Sequence, residues 1–172
     1  MKKLQPVVAA SMLAAMTAIA TMIIKVPTPG TNGYVNIGDT VVLLSAWLLG
    51  NPYGAAAAAV GSALADFLSG YPAYVPGTAV IKFAMAFTAA VIFRVSSDRN
   101  LPDAAARIIG GIIAEIIMVF GYFLYESTLL GYGLAAAASI MSNAMQGIVC
   151  LVLANLIAVP LAKTVFLRRI GK

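Results

Sequence analysis

Six apolar stretches, separated by five short breaks, run through this chain almost end to end. Hydrophobic residues make up 62% of the chain and charged residues only 10%, so a water-exposed surface of ordinary composition cannot be built from it. Lipid must be the solvent. The expected fold is an all-α integral membrane protein, a bundle of six transmembrane helices forming one domain over residues 1–172.

The spans run from Gln5 to Lys25, Asp39 to Leu49, Tyr53 to Leu68, Thr78 to Val95, Asp103 to Tyr125 and Leu134 to Lys163. A helix needs roughly 20 apolar residues to cross a hydrocarbon core, so the second and third spans are short. Gly50, Asn51, Pro52 and Gly54 put a turn between those two, which favours a pair of short helices over one re-entrant hairpin. The first span is read as retained and not as a cleaved signal peptide. Lys2 and Lys3 precede it, but its apolar run continues through Ile24.

Of the 11 Lys and Arg residues, Lys2, Lys3, Arg94, Arg99, Arg107, Lys163, Arg168, Arg169 and Lys172 fall on one side. Lys25 alone falls on the other, and Lys82 lies within a span. Basic residues resist translocation, so both termini are expected in the cytoplasm. The net charge of +5 then reflects loop ends facing anionic lipid and implies no nucleic-acid partner. The single cysteine, Cys150, excludes an internal disulfide and sits where it would pack. The chain has no histidine, so the usual metal ligand and proton shuttle are missing, and no metal or cofactor is expected.

Small residues recur at helical spacing. Ala10, Ala14 and Ala18 stack on one face of the first helix, where they suit either docking of a partner or internal packing. Gly54, Ala58, Ser62 and Ala65 repeat the pattern on the third helix, where internal packing is expected.

Polar residues concentrate toward the outer side: Thr28, Thr31, Asn32, Tyr34, Asn36, Asp39, Asp66, Tyr71, Tyr74, Lys82, Tyr122, Glu126 and Tyr132. A polar side chain within a span is costly unless paired or facing water, so Lys82, Glu115, Asn143 and Gln146 are site candidates. Glu115, Tyr122 and Glu126 fall on one broad helical face and Ser139, Asn143 and Gln146 on another, two stripes able to line a cavity open outward. Structural roles compete with these. Lys82 would pair with Asp66 or Glu126 to lock helices, Asn143 and Gln146 would bond helix to helix, and most of the tyrosines at 34, 71, 74 and 132 would form an interfacial belt. Trp47 reads as an anchor near the inner end of the second helix.

The segment from Val26 to Asn36 is too polar and too rich in Pro and Gly to be a span, and it has the chemistry of a loop that closes over a small molecule. Ser69 to Gly77 lies on the same side and would form another wall.

With those residues in view, the chain resembles the substrate-binding S components of energy-coupling factor (ECF) vitamin transporters, nearest the riboflavin-type branch. The resemblance covers essentially the whole chain. It is carried by Tyr34-Val35-Asn36-Ile37-Gly38-Asp39, Gly50-Asn51-Pro52-Tyr53-Gly54, Gly61-Ser62-Ala63-Leu64-Ala65-Asp66 and Pro76-Gly77-Thr78-Ala79-Val80-Ile81-Lys82, in that order, with a small-residue first helix. It implies an S-component-like fold in a prokaryotic cell membrane and capture of a vitamin or precursor from outside. It also implies partnership with a membrane coupling protein and two cytoplasmic ATPases, docked on Ala10, Ala14 and Ala18, with transport by toppling of the bundle. The chain has no phosphate loop of its own, in keeping with a borrowed ATPase.

The expected substrate-binding residues are Tyr34, Asn36, Tyr74, Lys82, Glu115, Tyr122, Glu126, Asn143 and Gln146. Carboxylates with small neighbours suit a pyridoxine-like or hydroxymethylpyrimidine-like heterocycle, with riboflavin next. Two other classes compete. A self-sufficient secondary transporter would show paired repeats and a coupling-ion site. An intramembrane enzyme would use Asp39 and Asp66, which no recognised nucleophile or metal motif surrounds.

Overall fold

The computed structural model describes residues 4–28 and 30–162. Lys2, Lys3, Lys163, Arg168, Arg169 and Lys172, on which much of the orientation argument rests, lie outside them. Six helices follow the apolar stretches: α1 (Leu4–Ile23), α2 (Gly38–Leu49), α3 (Tyr53–Leu68), α4 (Val75–Asp98), α5 (Asp103–Leu124) and α6 (Ala138–Ala162). A π-helical turn, Tyr125–Leu129, extends α5, and a 3-10 turn, Gly133–Ala137, leads into α6. With these extensions, α1, α4, α5 and α6 are long and apolar enough to cross a bilayer. At 12 and 16 residues, α2 and α3 are not.

The short α2 is the centre of the bundle. It is apolar on all sides because α1, α3, α4 and α6 surround it, and everything from Gly38 to Trp47 is buried. Val42, Leu43, Met85, Ala86, Ala89, Ala114 and Met118 form the core around it. Trp47 belongs to this core and is 8% exposed. The expectation of an interfacial anchor there is corrected, because α5 closes on the indole at Gly111.

Glycine on α3 allows two close approaches to a neighbouring helix backbone. A Cβ on Gly54 would lie 2.3 Å from the Ser45 carbonyl oxygen, and one on Gly61 would lie 2.4 Å from that of Ala14. Both positions therefore let α3 approach a neighbouring backbone more closely than any side chain permits. Ala58, Ser62 and Ala65 are buried alongside, so the α3 stripe packs internally as expected.

The loop after α1 corrects the all-α expectation. Lys25–Pro27 (β1) and Tyr34–Asn36 (β2) pair antiparallel, with Lys25 opposite Asn36, Val26 opposite Val35 and Pro27 opposite Tyr34. The Thr28 N–H donates to the Gly33 carbonyl at 3.1 Å and closes the turn. Side chains alternate across the ribbon, so Val26 and Val35 share one face while Tyr34 and Asn36 share the other.

Candidate functional site

The polar face of the hairpin covers a small cavity between α3, α4, α5 and α6. Thr28, Gly33, Tyr34 and Asn36 form its roof, with Asp66, Tyr74, Thr78, Tyr122, Glu126, Asn143 and Gln146 as its walls. Its volume is about 20 Å³, room for roughly one water. The π-helical turn carries Glu126 into the wall, a local irregularity often found at functional positions. On α6, spacings of four and three bring Ser139, Asn143 and Gln146 to one buried stripe.

Hydroxyl donors hold both carboxylates. Tyr34 Oη donates to Asp66 at 2.7 Å and Tyr74 Oη donates to Glu126 Oε1 at 3.0 Å, while Ser139 Oγ donates to Glu126 Oε2 at 2.6 Å. Burial, reinforced by the neighbouring Asp66 charge, raises the Tyr34 phenol above the ordinary tyrosine range. Burial and then the Glu126 charge do the same for Tyr74. The hairpin is also tied to α6, since the Asn36 N–H donates to Gln146 Oε1 at 2.6 Å.

Seven of the nine sequence-predicted ligand residues thus line one cavity: Tyr34, Asn36, Tyr74, Tyr122, Glu126, Asn143 and Gln146. Lys82 and Glu115 do not. Lys82 forms a buried ion pair with Asp39 of α2, and not with Asp66 or Glu126, and its ammonium lies 5.3 Å from the Tyr122 ring centroid. Gln146 Nε2 donates to the other Asp39 oxygen, so Asp39 and Asp66 are engaged separately and form no carboxylate pair. Glu115 is 7% exposed behind this cluster, and neither of its carboxyl oxygens has a hydrogen-bond partner among the described residues.

Asp66 and Thr78 line the cavity outside the expected ligand set, while Thr28 and Gly33 belong to the loop expected to close over it. For Asp66 the signal is an ionisable residue inside an apolar helix, which as a partner of Lys82 reads as structural. Tyr34, Tyr71 and Tyr74 form a ring cluster, with centroids 4.7 and 6.4 Å apart, of which Tyr34 and Tyr74 line the cavity. Asn143 makes no interhelical hydrogen bond among the described residues, whereas Gln146 does bridge helices.

The apolar face of the hairpin looks into a second cavity of about 410 Å³, walled by Ile24, Val26, Val35, Ile37, Met141, Met145 and Val149. Asn36 and Gln146 border both cavities.

On α1, Ala18 is buried and the Ala14 carbonyl lies against Gly61. The part of the stripe open to another protein is Ala10 and Ala14, both half-buried, beside exposed Ser11 and Ala15.

The helix bundle thus encloses a polar cavity roofed by a hairpin. The family profile of the ECF-type riboflavin transporter, S component, matches residues 1–163. This chain belongs to that family. The S component is 35% identical over 130 residues to an uncharacterised protein of Pyrococcus woesei, across 76% of this chain and 83% of that one. It is also similar to a solved structure, the S component of a bacterial ECF transporter, at a TM-score of 0.73 and 25% identity, covering 93% of this chain and 96% of that one. It is accordingly a multi-pass membrane transport subunit that binds a vitamin-type small molecule, not an enzyme.

Proposed function

We propose that this S component captures a heterocyclic vitamin or vitamin precursor from outside the cell and delivers it through a membrane coupling protein and two cytoplasmic ATPases. The observation that carries this is the convergence of buried Asp66, Glu126, Asn143 and Gln146 beneath a hairpin, around a cavity of about 20 Å³ that admits a heterocycle once the hairpin lifts. Convergent polar groups and aromatic rings are what fix the orientation of a small ligand. The ligand is pyridoxine-like or hydroxymethylpyrimidine-like, with riboflavin next, since the walls offer carboxylates, amides and three tyrosines but no tryptophan. Both termini are cytoplasmic in a prokaryotic cell membrane, and the coupling protein docks on the Ala10 and Ala14 side of α1.

The test is calorimetry on detergent-purified protein, stripped of bound ligand, against a panel of B vitamins and precursors. Saturable one-to-one binding at submicromolar concentration names the substrate. Tight riboflavin binding with none of a B6-type ligand would overturn the substrate choice, and transport in proteoliposomes without any ATPase partner would overturn the coupled mechanism.

A further inference from the structure

We infer that the molecule captured in this cavity carries a positive charge, seated between Asp66 and Glu126, with Asn143 reading the polar edge beside it. This rests on the cavity being the ligand site, and it adds the charge of the ligand and a role for Asp66.

The first observation is the charge balance of the walls. Asp66 and Glu126 are 6% and 2% exposed, and each accepts hydrogen bonds from hydroxyls, with both oxygens of Glu126 so engaged. That is the pattern of carboxylates acting as acceptors. No cation lines the cavity: Lys82 and Lys25 act on Asp66 from outside it, Lys82 while paired with Asp39, and exposed Lys25 from 5.6 Å off the Tyr34 ring centroid with no ion pair among the described residues. Neutral hydroxyls solvate a buried carboxylate but do not neutralise it, and uncompensated charge in a low-dielectric interior is strongly unfavourable. A cationic ligand supplies the missing charge, whereas an anionic one meets no cation in the walls.

The second observation is independent of charge. Asn143 lines the same cavity at 6% exposure, and its carboxamide has no hydrogen-bond partner among the described residues. Buried amides are normally satisfied. One with donors and an acceptor both unengaged fits the paired donor and acceptor edge of a substituted nitrogen heterocycle.

The experiment uses the full chain, purified in detergent and stripped, with thermal-shift and calorimetric readouts. The probes are pyridoxamine, pyridoxine and 4-pyridoxic acid, which differ at one substituent as ammonium, hydroxyl and carboxylate, together with thiamine, riboflavin and pantothenate. Two non-vitamin cations, agmatine and benzylamine, complete the set. Pyridoxamine is expected to bind about tenfold or more tighter than pyridoxine, and 4-pyridoxic acid not to bind. Asp66→Asn and Glu126→Gln should each lower cation affinity about tenfold and shrink the preference over the neutral probe.

A strongest binder that is neutral or anionic, or silence from every cation, overturns the inference. The ranking on the unmodified protein decides this even if a variant fails to fold. Binding of agmatine or benzylamine with no vitamin would uphold the charge and remove the vitamin reading, and binding of riboflavin alone would do the reverse.

Discussion

The backbone N–H of Asn36 donates to the side-chain oxygen of Gln146, 110 residues away, and that bond joins the hairpin to α6. The same Gln146 side chain donates to Asp39, which in turn holds Lys82. One amide thus connects the roof of the cavity to the buried ion pair between α2 and α4.

Gln146→Leu leaves the Asn36 N–H and one Asp39 oxygen unpartnered. Losing a partner in a buried hydrogen bond costs about 1–3 kcal/mol. Hydrogen exchange followed by mass spectrometry should show faster exchange in the hairpin, with core segments of α4 unchanged. Unchanged hairpin protection would mean that Val26 and Val35 packing holds the roof without Gln146.

Asp39→Asn or Lys82→Met alone should destabilise the fold by about 3–5 kcal/mol, because each leaves a charge buried without its counterion. The double variant should recover a large part of the loss. Thermal unfolding in detergent tests this, and additive losses would show that the two charges do not compensate each other.

Gly61→Val forces a side chain into the contact with the Ala14 carbonyl. Overpacking of this kind costs about 1–3 kcal/mol. A lowered melting temperature, with α1 more accessible to protease, is expected; an unchanged melting curve would show that α1 can move off α3 without loss.

Ala14→Leu tests partner docking. Its side chain is half-buried at the edge of the α1 and α3 contact, beside exposed Ser11 and Ala15. Ligand affinity should stay within about threefold while uptake in the presence of the ATPase module falls about tenfold or more, since a bulky side chain prevents close helix approach. Loss of ligand binding itself would assign Ala14 to internal packing alone.

Alkaline pH should loosen the roof. The Tyr34 and Tyr74 phenols titrate above their unfolded value of about 10, because burial and the neighbouring carboxylates disfavour phenolate. With folded values raised, their contribution to stability is complete below about pH 10 and is lost as pH rises through the folded values. Tyrosinate absorbance should show late-titrating phenols among the seven tyrosines, and Tyr34→Phe with Tyr74→Phe should shrink that late component by the two phenols removed. Titration of all seven together near the unperturbed value would count against a closed roof.

The sequence by itself determined the solvent, the helices and most of the residues that meet. Apolar length and helical spacing fix where a helix runs and which of its faces is polar, so Tyr122 with Glu126, and Ser139 with Asn143 and Gln146, were legible as stripes. The order of short Gly, Asn and Pro strings carried the family resemblance. Three-residue strands fall below any periodic signal, so β1 and β2 were legible only as a loop. What only the tertiary structure decided was which stripe faces which. Periodicity orients a side chain on its own helix but says nothing of the neighbour opposite. The central position of α2 put Asp39, and not Asp66 or Glu126, against Lys82. That one pairing removed the cation from the cavity, left Asp66 and Glu126 facing into it, and placed Glu115 behind its wall.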